Sequence, residues 1–296
     1  MIEARGLVKE YGTFRALDGV SFTFDKPGIF GIIGHNGAGK TTLLKCMAGL
    51  IQPTSGDLVI GGIDVRRDPA RLKETLGYLP EESRLYETMT VESYLRFFGE
   101  IYGIPADECR RRSDDLLSSL RLDAGGKRIG ELSKGMRRKV AIARSLLHSP
   151  SLLIYDEPTS GLDPMTSRYI IDYLAHLRDS GQKTILLSAH NLYQVEEICD
   201  QVLILRQGAI AAIGSMDELR ETFGSLSYQI HFVGADESLM PPSLVCEEAG
   251  GECVAKAESM EELNSVTAAV AAAGGTVRRI ESRYPSLEEM LLRIGK

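Results

Sequence analysis

The sequence predicts an α/β fold built around a parallel sheet, and two observations lead to this prediction. The first is a regular alternation of short apolar runs and helical patterns after residue 150. In chain order these segments are Leu152–Tyr155, Ser167–Asp179, Thr184–Ser188 and Leu192–Ile198. Such alternation is typical of parallel strands connected by helices. The second is the apolar run 28–33, which is followed by a glycine-rich turn and a helical pattern and therefore indicates a buried parallel strand.

The pattern of apolar residues changes on either side of this core. Alternating apolar and polar positions near the N-terminus indicate antiparallel strands. Residues from about 85 to 150 contain helical periodicity and predict a helical insertion, and two runs around Gln207-Gly208 predict a hairpin. The further predicted strands are Ile2–Val8, Val20–Phe24, Asp57–Ile63, Leu76–Leu79, Val202–Leu205 and Ala209–Ile213, and the helices of the insertion are Val91–Tyr102, Asp107–Leu120 and Met136–Leu147.

A second, smaller domain is predicted from residue 225 to 296, after a first domain of residues 1–224. Its segments mix strands and helices, so we expect an α+β unit. It contains no glycine-rich turn between a strand and a helix, which makes it a poor candidate for a nucleotide site. The predicted strands are Tyr228–Val233, Glu252–Lys256 and Val277–Glu281, and the predicted helices are Met260–Ala273 and Ser286–Ile294.

The turn after the run 28–33 fits the phosphate-loop pattern G-x-x-x-x-G-K-[ST]. Glycines let backbone N–H groups turn toward phosphate oxygens, Lys40 supplies a charge for the β- and γ-phosphates, and Thr41 offers a hydroxyl to Mg²⁺. A helix that begins here adds its positive dipole end. A chance match is the alternative, but the flanking strand and helix are the required setting. We therefore predict nucleoside triphosphate binding by Gly34, His35, Asn36, Gly37, Ala38, Gly39, Lys40, Thr41 and Thr42.

Two carboxylates follow the apolar run at 152–155. Asp156 would lie at the carboxyl end of a strand, where ligands of α/β sheets bind, and would hold Mg²⁺ directly or through water. Glu157, the next residue, could polarise an attacking water. The alternative is a strand that ends in a solvated acidic turn. The nearby phosphate loop favours the functional interpretation.

A short motif, Leu132–Met136, precedes the last helix of the insertion. Ser133 is a good N-cap residue, and Gly135 would allow an anion to approach the helix N-terminus closely. The helix also carries a basic run, 137–139. An ordinary capped helix with a basic face explains this motif equally well when it is considered alone.

Together these motifs resemble the nucleotide-binding subunit of ATP-binding cassette (ABC) transporters over residues 1 to about 220. That family resemblance implies a P-loop NTPase cassette with an antiparallel β subdomain, a mixed or parallel core sheet and a helical subdomain, plus a small C-terminal α+β domain. The matching segments, in order, are Tyr11 (adenine-stacking ring), Gly34–Thr41 (phosphate loop), Gly77–Glu81 (Q-loop), Leu132–Met136 (signature), Leu152–Glu157 (Walker B), Ser160–Asp163 (D-loop) and His190 (switch histidine).

The resemblance implies ATP and Mg²⁺ as ligands and hydrolysis as the reaction. Two cassettes would pair head to tail, and each ATP would lie between the phosphate loop of one subunit and the signature of the other. The second cassette would be either a copy of this chain or a related subunit. By the same resemblance, Glu157, His190 and Lys40 are catalytic, Thr41, Glu81 and Asp156 hold the metal, and Tyr11, Glu81, Ser133, Gly135 and Asp163 join the phosphate loop in binding ATP.

Three positions depart from the family pattern. Glu81 replaces the usual glutamine of the Q-loop and adds negative charge near the γ-phosphate, although a carboxylate can still bind Mg²⁺. Lys134 and Met136 replace a glycine and a glutamine of the signature. These variants, and a closing segment at 285–294, resemble the bacterial branch that exports drugs, sodium or antibiotic peptides. We therefore expect export through a separate integral-membrane permease.

Composition agrees with this interpretation. A formal net charge of −7 argues against general nucleic-acid binding, so no nucleic-acid partner is expected. No apolar stretch is long enough to cross a bilayer, residues 1–5 lack a signal-peptide pattern, and five scattered cysteines suggest reduced thiols. We expect a cytoplasmic protein that is peripheral on the inner face of the membrane. A soluble ABC protein acting on ribosomes or DNA is the alternative, and residues 225–296 could be a regulatory ligand-binding module.

Overall fold

The computed structural model describes residues 1–124, 126–179, 181, 183–224, 226–235, 246–249 and 252–295. The chain divides into two compact units, Met1–Met216 and Asp217–Lys296. From the sequence, the domain boundary was predicted between residues 224 and 225. The difference arises because a helix that the sequence analysis did not predict, α8 (Met216–Phe223), lies almost wholly in the second unit.

An antiparallel sheet of four strands forms one side of the first unit. Its strands are β1 (Ile2–Tyr11), β2 (Phe14–Phe24), β4 (Ser55–Ile60) and β5 (Ile63–Asp64), in the order β2-β1-β4-β5. Ile2 pairs with Phe24 on one side and with Ile60 on the other, and all three side chains are buried. One face of this sheet therefore contributes to the core, as the alternation in the sequence predicts.

A six-stranded sheet forms the centre of the first unit, in the order β10-β9-β3-β8-β7-β6. Neighbouring strands from β9 to β6 are parallel, and only the edge strand β10 is antiparallel to its neighbour. Every residue of β3 and of β7 is buried, which is why both read as continuous apolar runs. The strands are β3 (Gly28–Ile33), β6 (Leu76–Leu79), β7 (Leu152–Asp156), β8 (Thr184–Ser188), β9 (Gln201–Arg206) and β10 (Ala209–Gly214).

Helices connect these strands, and three of them occupy the region that the sequence predicted to be a helical insertion. The stacked rings of Phe24 and Phe30, with centroids 3.9 Å apart, join the two sheets in one core. The predicted α/β fold is thus confirmed. The helices are α1 (Lys40–Met47), α2 (Pro69–Glu74), α3 (Val91–Ile101), α4 (Ala106–Ser119), α5 (Lys134–Leu146), α6 (Pro164–Asp179) and α7 (Leu192–Ile198).

The second unit contains an antiparallel sheet in the order β12-β13-β11-β14. Its core includes Ile230, Phe232, Val266 and Val270, which come from β11 and α9. Strand β12, like α8, was not predicted. The elements are β11 (Ser227–Val233), β12 (Cys246–Ala249), β13 (Glu252–Ala257), α9 (Met260–Ala272), β14 (Thr276–Arg283) and α10 (Leu287–Gly295).

None of the helices in the described ranges combines the length of a bilayer crossing with a sufficiently apolar composition.

The contact between β6 and α5 leads to a first prediction, because it leaves no room for a side chain at Gly77. A Cβ atom there would overlap the carbonyl oxygen of Ser145 and lie 2.7 Å from Leu153 Cδ2. A backbone carbonyl cannot move aside, so Gly77→Ala should lower the free energy of unfolding by about 3 kcal/mol or more. Urea denaturation followed by circular dichroism measures this change.

Gly61→Ala is the matched control. Gly61 has φ +57° but no atom within 4 Å of an added Cβ, so only backbone strain of about 1–2 kcal/mol is expected there. Equal losses in the two variants would contradict the steric explanation.

Candidate nucleotide site

The parallel sheet brings distant parts of the sequence to one edge. Strands β3, β6, β7 and β8 run in the same direction, so their carboxyl ends lie together. The segments that follow them contain Lys40, at the start of α1, and Glu81, Glu157 and His190. The carboxyl edge of an α/β sheet is the usual ligand site of this architecture.

The loop after β3 is held tightly against the chain around it. Its Ala38 N–H donates to the His35 carbonyl at 3.1 Å, and the Ala38 carbonyl accepts from Gly208 N–H at 3.0 Å. Gly39 precedes α1 with φ 106°, and a Cβ atom there would lie 2.5 Å from the Ala16 carbonyl oxygen. Only glycine fits this position. The N–H groups at the start of α1 are therefore available to an anion.

Lys40 is the first residue of α1, directly after this loop, and is 7% exposed. Its Nζ donates to the carbonyl oxygens of Gly34, at 2.7 Å, and His35, at 3.2 Å. Burial lowers the pKa of Lys40, and the carboxylates of Glu157, Asp156 and Glu81 oppose this effect. One buried cation thus interacts electrostatically with three acidic side chains at the sheet edge.

Ser188, at the end of β8, connects the two carboxylates that follow β7. Its hydroxyl donates to Asp156 Oδ1 at 2.6 Å and accepts from the Glu157 N–H at 3.0 Å. Asp156 is 2% exposed. The hydroxyl therefore fixes the orientation of the Asp156 carboxylate and the backbone position of Glu157 at the same time.

Glu157 has an unusual backbone conformation and a close partner. Its φ of 49° lies in the left-handed region, which a residue with a side chain rarely adopts. His190 Nε2 lies 2.7 Å from Glu157 Oε1. Burial raises the pKa of Glu157, His190 lowers it, and Glu81 and Asp156 raise it further. The carboxylate is thus pre-positioned, and its basicity exceeds that of an exposed glutamate.

The residues of this edge fit a nucleoside triphosphate with Mg²⁺. The buried Lys40 ammonium and the start of α1 offer positive potential to phosphate oxygens. Thr41 and Asp156 offer the oxygen ligands that Mg²⁺ prefers. In the described parts of the chain there is no group of three or more His, Cys, Asp or Glu side chains able to hold a metal. Phosphate oxygens and water would complete the coordination of Mg²⁺, as is usual for this ion.

Tyr11, at the end of β1, and Glu81, in the loop after β6, are both exposed. Tyr11 is the last residue of β1, its side chain is 50% exposed, and Lys9 Nζ lies 5.0 Å from the centroid of its ring. Glu81 lies two residues after β6, and its carbonyl oxygen accepts from Arg138. The Tyr11 ring is accessible for stacking. The Glu81 carboxylate is close enough to influence Lys40 and Glu157.

The signature and the D-loop lie next to each other. Ser133 caps α5, because its hydroxyl accepts from Met136 N–H at 3.2 Å. An added Cβ at Gly161 would overlap Lys134 Nζ, and one at Gly135 would lie 3.1 Å from Thr166 Cγ2.

Asp163 directly precedes the first residue of α6, as Ser133 precedes that of α5. It accepts from the Thr166 N–H at 2.9 Å, and this hydrogen bond lowers its pKa. Among the described residues, no hydrogen bond or ion pair joins Ser133, Gly135 or Asp163 to the loop 34–41. The structure brings Lys40, Glu81, Asp156, Glu157 and His190 together and leaves these three residues in a separate group.

Two residues near the site were not identified as functional from the sequence. Ser188 is one, and Arg138 is the other, since the sequence analysis interpreted residues 137–139 only as the basic face of a capped helix. Arg138 is 7% exposed. The sequence does contain a signal for the burial of Arg138. Helical spacing places Arg138 on the same face of α5 as Ile142 and Ser145, both of which are buried.

Comparisons with known proteins agree with this geometry. Residues 17–160 match the family model described as ABC transporter, and residues 214–293 match the C-terminal domain of ATP-binding proteins like DrrA1-3. The chain is 39% identical over 210 residues to ABC transporter ATP-binding protein NatA of Bacillus subtilis (strain 168). The matched region covers 70% of this chain and 85% of NatA.

Two further comparisons extend this similarity. Daunorubicin resistance ATP-binding protein DrrA3 of Streptomyces coeruleorubidus is 31% identical over 301 residues, covering 99% of this chain and 95% of DrrA3. A solved ATP-binding subunit of an ABC transporter is 35% identical with a TM-score of 0.69, covering 75% of this chain and 93% of that one. The chain therefore belongs to the ABC transporter ATP-binding proteins and is an ATPase of that family.

Proposed function

We propose that this chain hydrolyses ATP to drive export of a substrate through a separate integral-membrane permease. The observation that carries the proposal is the Glu157–His190 pair, 2.7 Å apart, at the sheet edge that also holds Asp156 and the phosphate loop. Export is supported by the names of relatives, including DrrA3, the linearmycin resistance ATP-binding protein LnrL of Bacillus subtilis (strain 168) and the Nod factor export ATP-binding protein I of Ralstonia nicotianae.

Each residue at the sheet edge would have a separate role in hydrolysis. Lys40 and the N–H groups of loop 34–41 bind the phosphates of ATP. Thr41, Asp156 and Glu81 hold Mg²⁺, which when bound neutralises charge on the phosphate oxygens. Glu157 accepts a proton from the attacking water, and its raised pKa makes it a stronger base than an exposed glutamate. His190 holds the Glu157 carboxylate in place and contacts the γ-phosphate.

A second cassette is proposed to complete each site. Ser133 and Gly135 are predicted to bind ATP, yet the Ser133 hydroxyl accepts from Met136 N–H of its own helix and an added Cβ at Gly135 would lie against Thr166 of α6. A head-to-tail pair would bring them to the nucleotide of the partner, and Asp163 would lie at the interface between the two sites. Either a second copy of this chain or a related subunit could serve as the partner.

The permease is proposed to dock beside the Glu81 loop. Aromatic and aliphatic side chains are exposed there, on α3 and just before it: Tyr86 is 51% exposed, Phe97 38% and Ile101 60%. The rings of Tyr86 and Phe97 are 5.9 Å apart. An apolar group of this kind suits an amphipathic helix of a partner. The chain would thereby be held at the cytoplasmic face of the membrane.

Purification from native membranes tests the transport role directly. The tagged chain should be recovered from detergent-solubilised membranes together with a stoichiometric multi-span protein, which mass spectrometry identifies. Tyr86→Ser with Phe97→Ser should weaken this recovery without reducing ATP binding, because neither ring belongs to the nucleotide site. Recovery of the chain only in the soluble fraction, bound to ribosomes or nucleic acid, would contradict the proposal.

Two substitutions separate ATP binding from hydrolysis. Lys40→Ala should abolish productive ATP binding and turnover, because it removes the buried cation of the loop. Glu157→Gln should lower kcat by a factor of about 10²–10⁴ while ATP still binds, because an amide cannot accept the proton. Phosphate release and equilibrium dialysis with ATP measure the two effects. Lys45→Ala, an exposed lysine of α1, is the control. Parent-like turnover by Glu157→Gln would exclude Glu157 as the base.

The raised pKa of Glu157 also predicts how stability depends on pH. A carboxyl whose pKa is higher in the folded state binds its proton more tightly there, so the ionised form destabilises the fold above that pKa. Glu157→Gln removes the charge and should increase the free energy of unfolding at pH 8. This gain should shrink as pH falls through the raised pKa toward the ordinary glutamate value of about 4.3.

Urea unfolding of the nucleotide-free protein at pH 8, 6 and 4.5 measures this gain. Glu82→Gln, at an exposed position of the neighbouring loop, should show no comparable gain at pH 8. A gain from Glu157→Gln that grows as pH falls would contradict the prediction.

A further inference from the structure

One buried arginine of α5 makes an unusual set of contacts. Arg138 is 7% exposed, and none of the hydrogen bonds described for its guanidinium goes to a carboxylate. All but one of the acceptors are backbone carbonyl oxygens. They are those of Pro158 at 2.8 Å, Pro80 at 2.7 Å, Glu81 at 3.0 Å, Asp156 at 3.1 Å and Glu157 at 2.6 Å, and the remaining acceptor is Ser83 Oγ at 3.1 Å.

These acceptors belong to two loops that are far apart in the sequence. Pro80, Glu81 and Ser83 lie in the loop after β6, whereas Asp156 ends β7 and residues 157–158 lie in the turn that follows. The nitrogen atoms divide between them, since Nη1 donates to the first loop and Nε and Nη2 donate to the second. A single planar group therefore fixes the distance between the two loops.

The guanidinium is suited to this task in a way that other side chains are not. Burial lowers the pKa of Arg138 to about 10, so the group keeps its charge at neutral pH. Its donors point in fixed directions within one plane and can satisfy several carbonyl groups together. A lysine offers three donors on one nitrogen and a glutamine a single amide group, so neither can reproduce all six hydrogen bonds to the two loops.

The turn after β7 needs such support because Glu157 lies in the left-handed region, with φ 49°. A non-glycine residue keeps this conformation only when its surroundings enforce it. Arg138 binds the carbonyl of Glu157 and those on either side of it, while Ser188 accepts from the Glu157 N–H. The backbone of Glu157 is thus held from both its donor and its acceptor side.

We propose that Arg138 is a positioning residue, whose guanidinium holds the backbone of Glu157 in its reactive orientation by tying that turn to the Glu81 loop. The inference rests on the proposed role of Glu157 as the base. It assigns to Arg138 no contact with ATP or Mg²⁺. Loss of Arg138 should therefore slow the reaction without weakening the binding of ATP.

The kinetic test compares Arg138→Gln and Arg138→Lys with Arg144→Gln in the full chain. Arg144 lies on the same helix and donates to Tyr94 Oη and the Tyr78 carbonyl, so its loss perturbs α5 without touching the Glu157 turn. Single-turnover hydrolysis of labelled ATP gives the rate, equilibrium dialysis gives the Kd for ATP, and thermal unfolding gives Tm.

Arg138→Gln should lower the rate about 10- to 100-fold, as expected for a displaced reacting group, with the Kd for ATP changed less than about threefold. Arg138→Lys keeps the positive charge and should show a rate between those of the parent and Arg138→Gln. If Arg138→Gln does not fold, Arg138→Lys serves as the test variant. Arg144→Gln should keep the parent rate. An unchanged rate in both Arg138 variants, or an equal loss in Arg144→Gln at matched Tm, would overturn the inference.

A double substitution distinguishes failure of this inference from failure of the proposed function. If Arg138 acts through Glu157, adding Arg138→Gln to Glu157→Gln should lower the residual rate by less than about threefold. If the second substitution instead multiplies the loss, Arg138 acts elsewhere and the role of Glu157 stands. If Glu157→Gln alone keeps the parent rate, the proposed base is wrong, whatever Arg138 does.

Discussion

The parallel arrangement of the central strands is the constraint on which the site depends. Because β3, β6, β7 and β8 run in one direction, residues as distant in sequence as Lys40 and His190 lie at the same edge. An antiparallel neighbour would send every second loop to the opposite edge and separate the phosphate loop from Glu157. The continuous apolar runs that specify buried parallel strands are therefore also what assembles the chemistry.

Carboxylates outnumber the buried cations at this edge. Glu81, Asp156 and Glu157 interact with buried Lys40 and Arg138, and Glu81 and Asp156 help to raise the pKa of Glu157. A divalent cation would offset this excess of negative charge, whereas a nucleotide without a metal would add to it. In its proposed role, Glu81 would strengthen this dependence, since the glutamine usual in the family carries no charge.

Sequence analysis predicted the parts of the site that are contiguous in the chain. The phosphate loop is recognisable because glycine, lysine and threonine are needed at fixed spacing, and Asp156 because it ends an apolar run. The contact between Glu157 and His190 depends on the order of strands in the sheet, which no local pattern contains. The basic run at 137–139 was interpreted as the basic face of a capped helix, yet Arg138 is buried, since backbone carbonyls from two loops solvate its charge. Helix α8 and strand β12 were missed in the second unit, where periodicity is short and weak.

The left-handed backbone of Glu157 explains why polar anchors surround this turn. Apolar packing can fill space around a strained residue, but it does not select between two backbone conformations of similar volume. Directional hydrogen bonds do so, because an N–H and a carbonyl change direction when φ changes sign. Ser188 fixes the N–H of Glu157 and Arg138 fixes its carbonyl, so relaxation of the turn would break bonds at both ends. The same guanidinium also binds the Pro80 and Glu81 carbonyls, so displacement of the Glu81 loop acts on the backbone that aims the carboxylate.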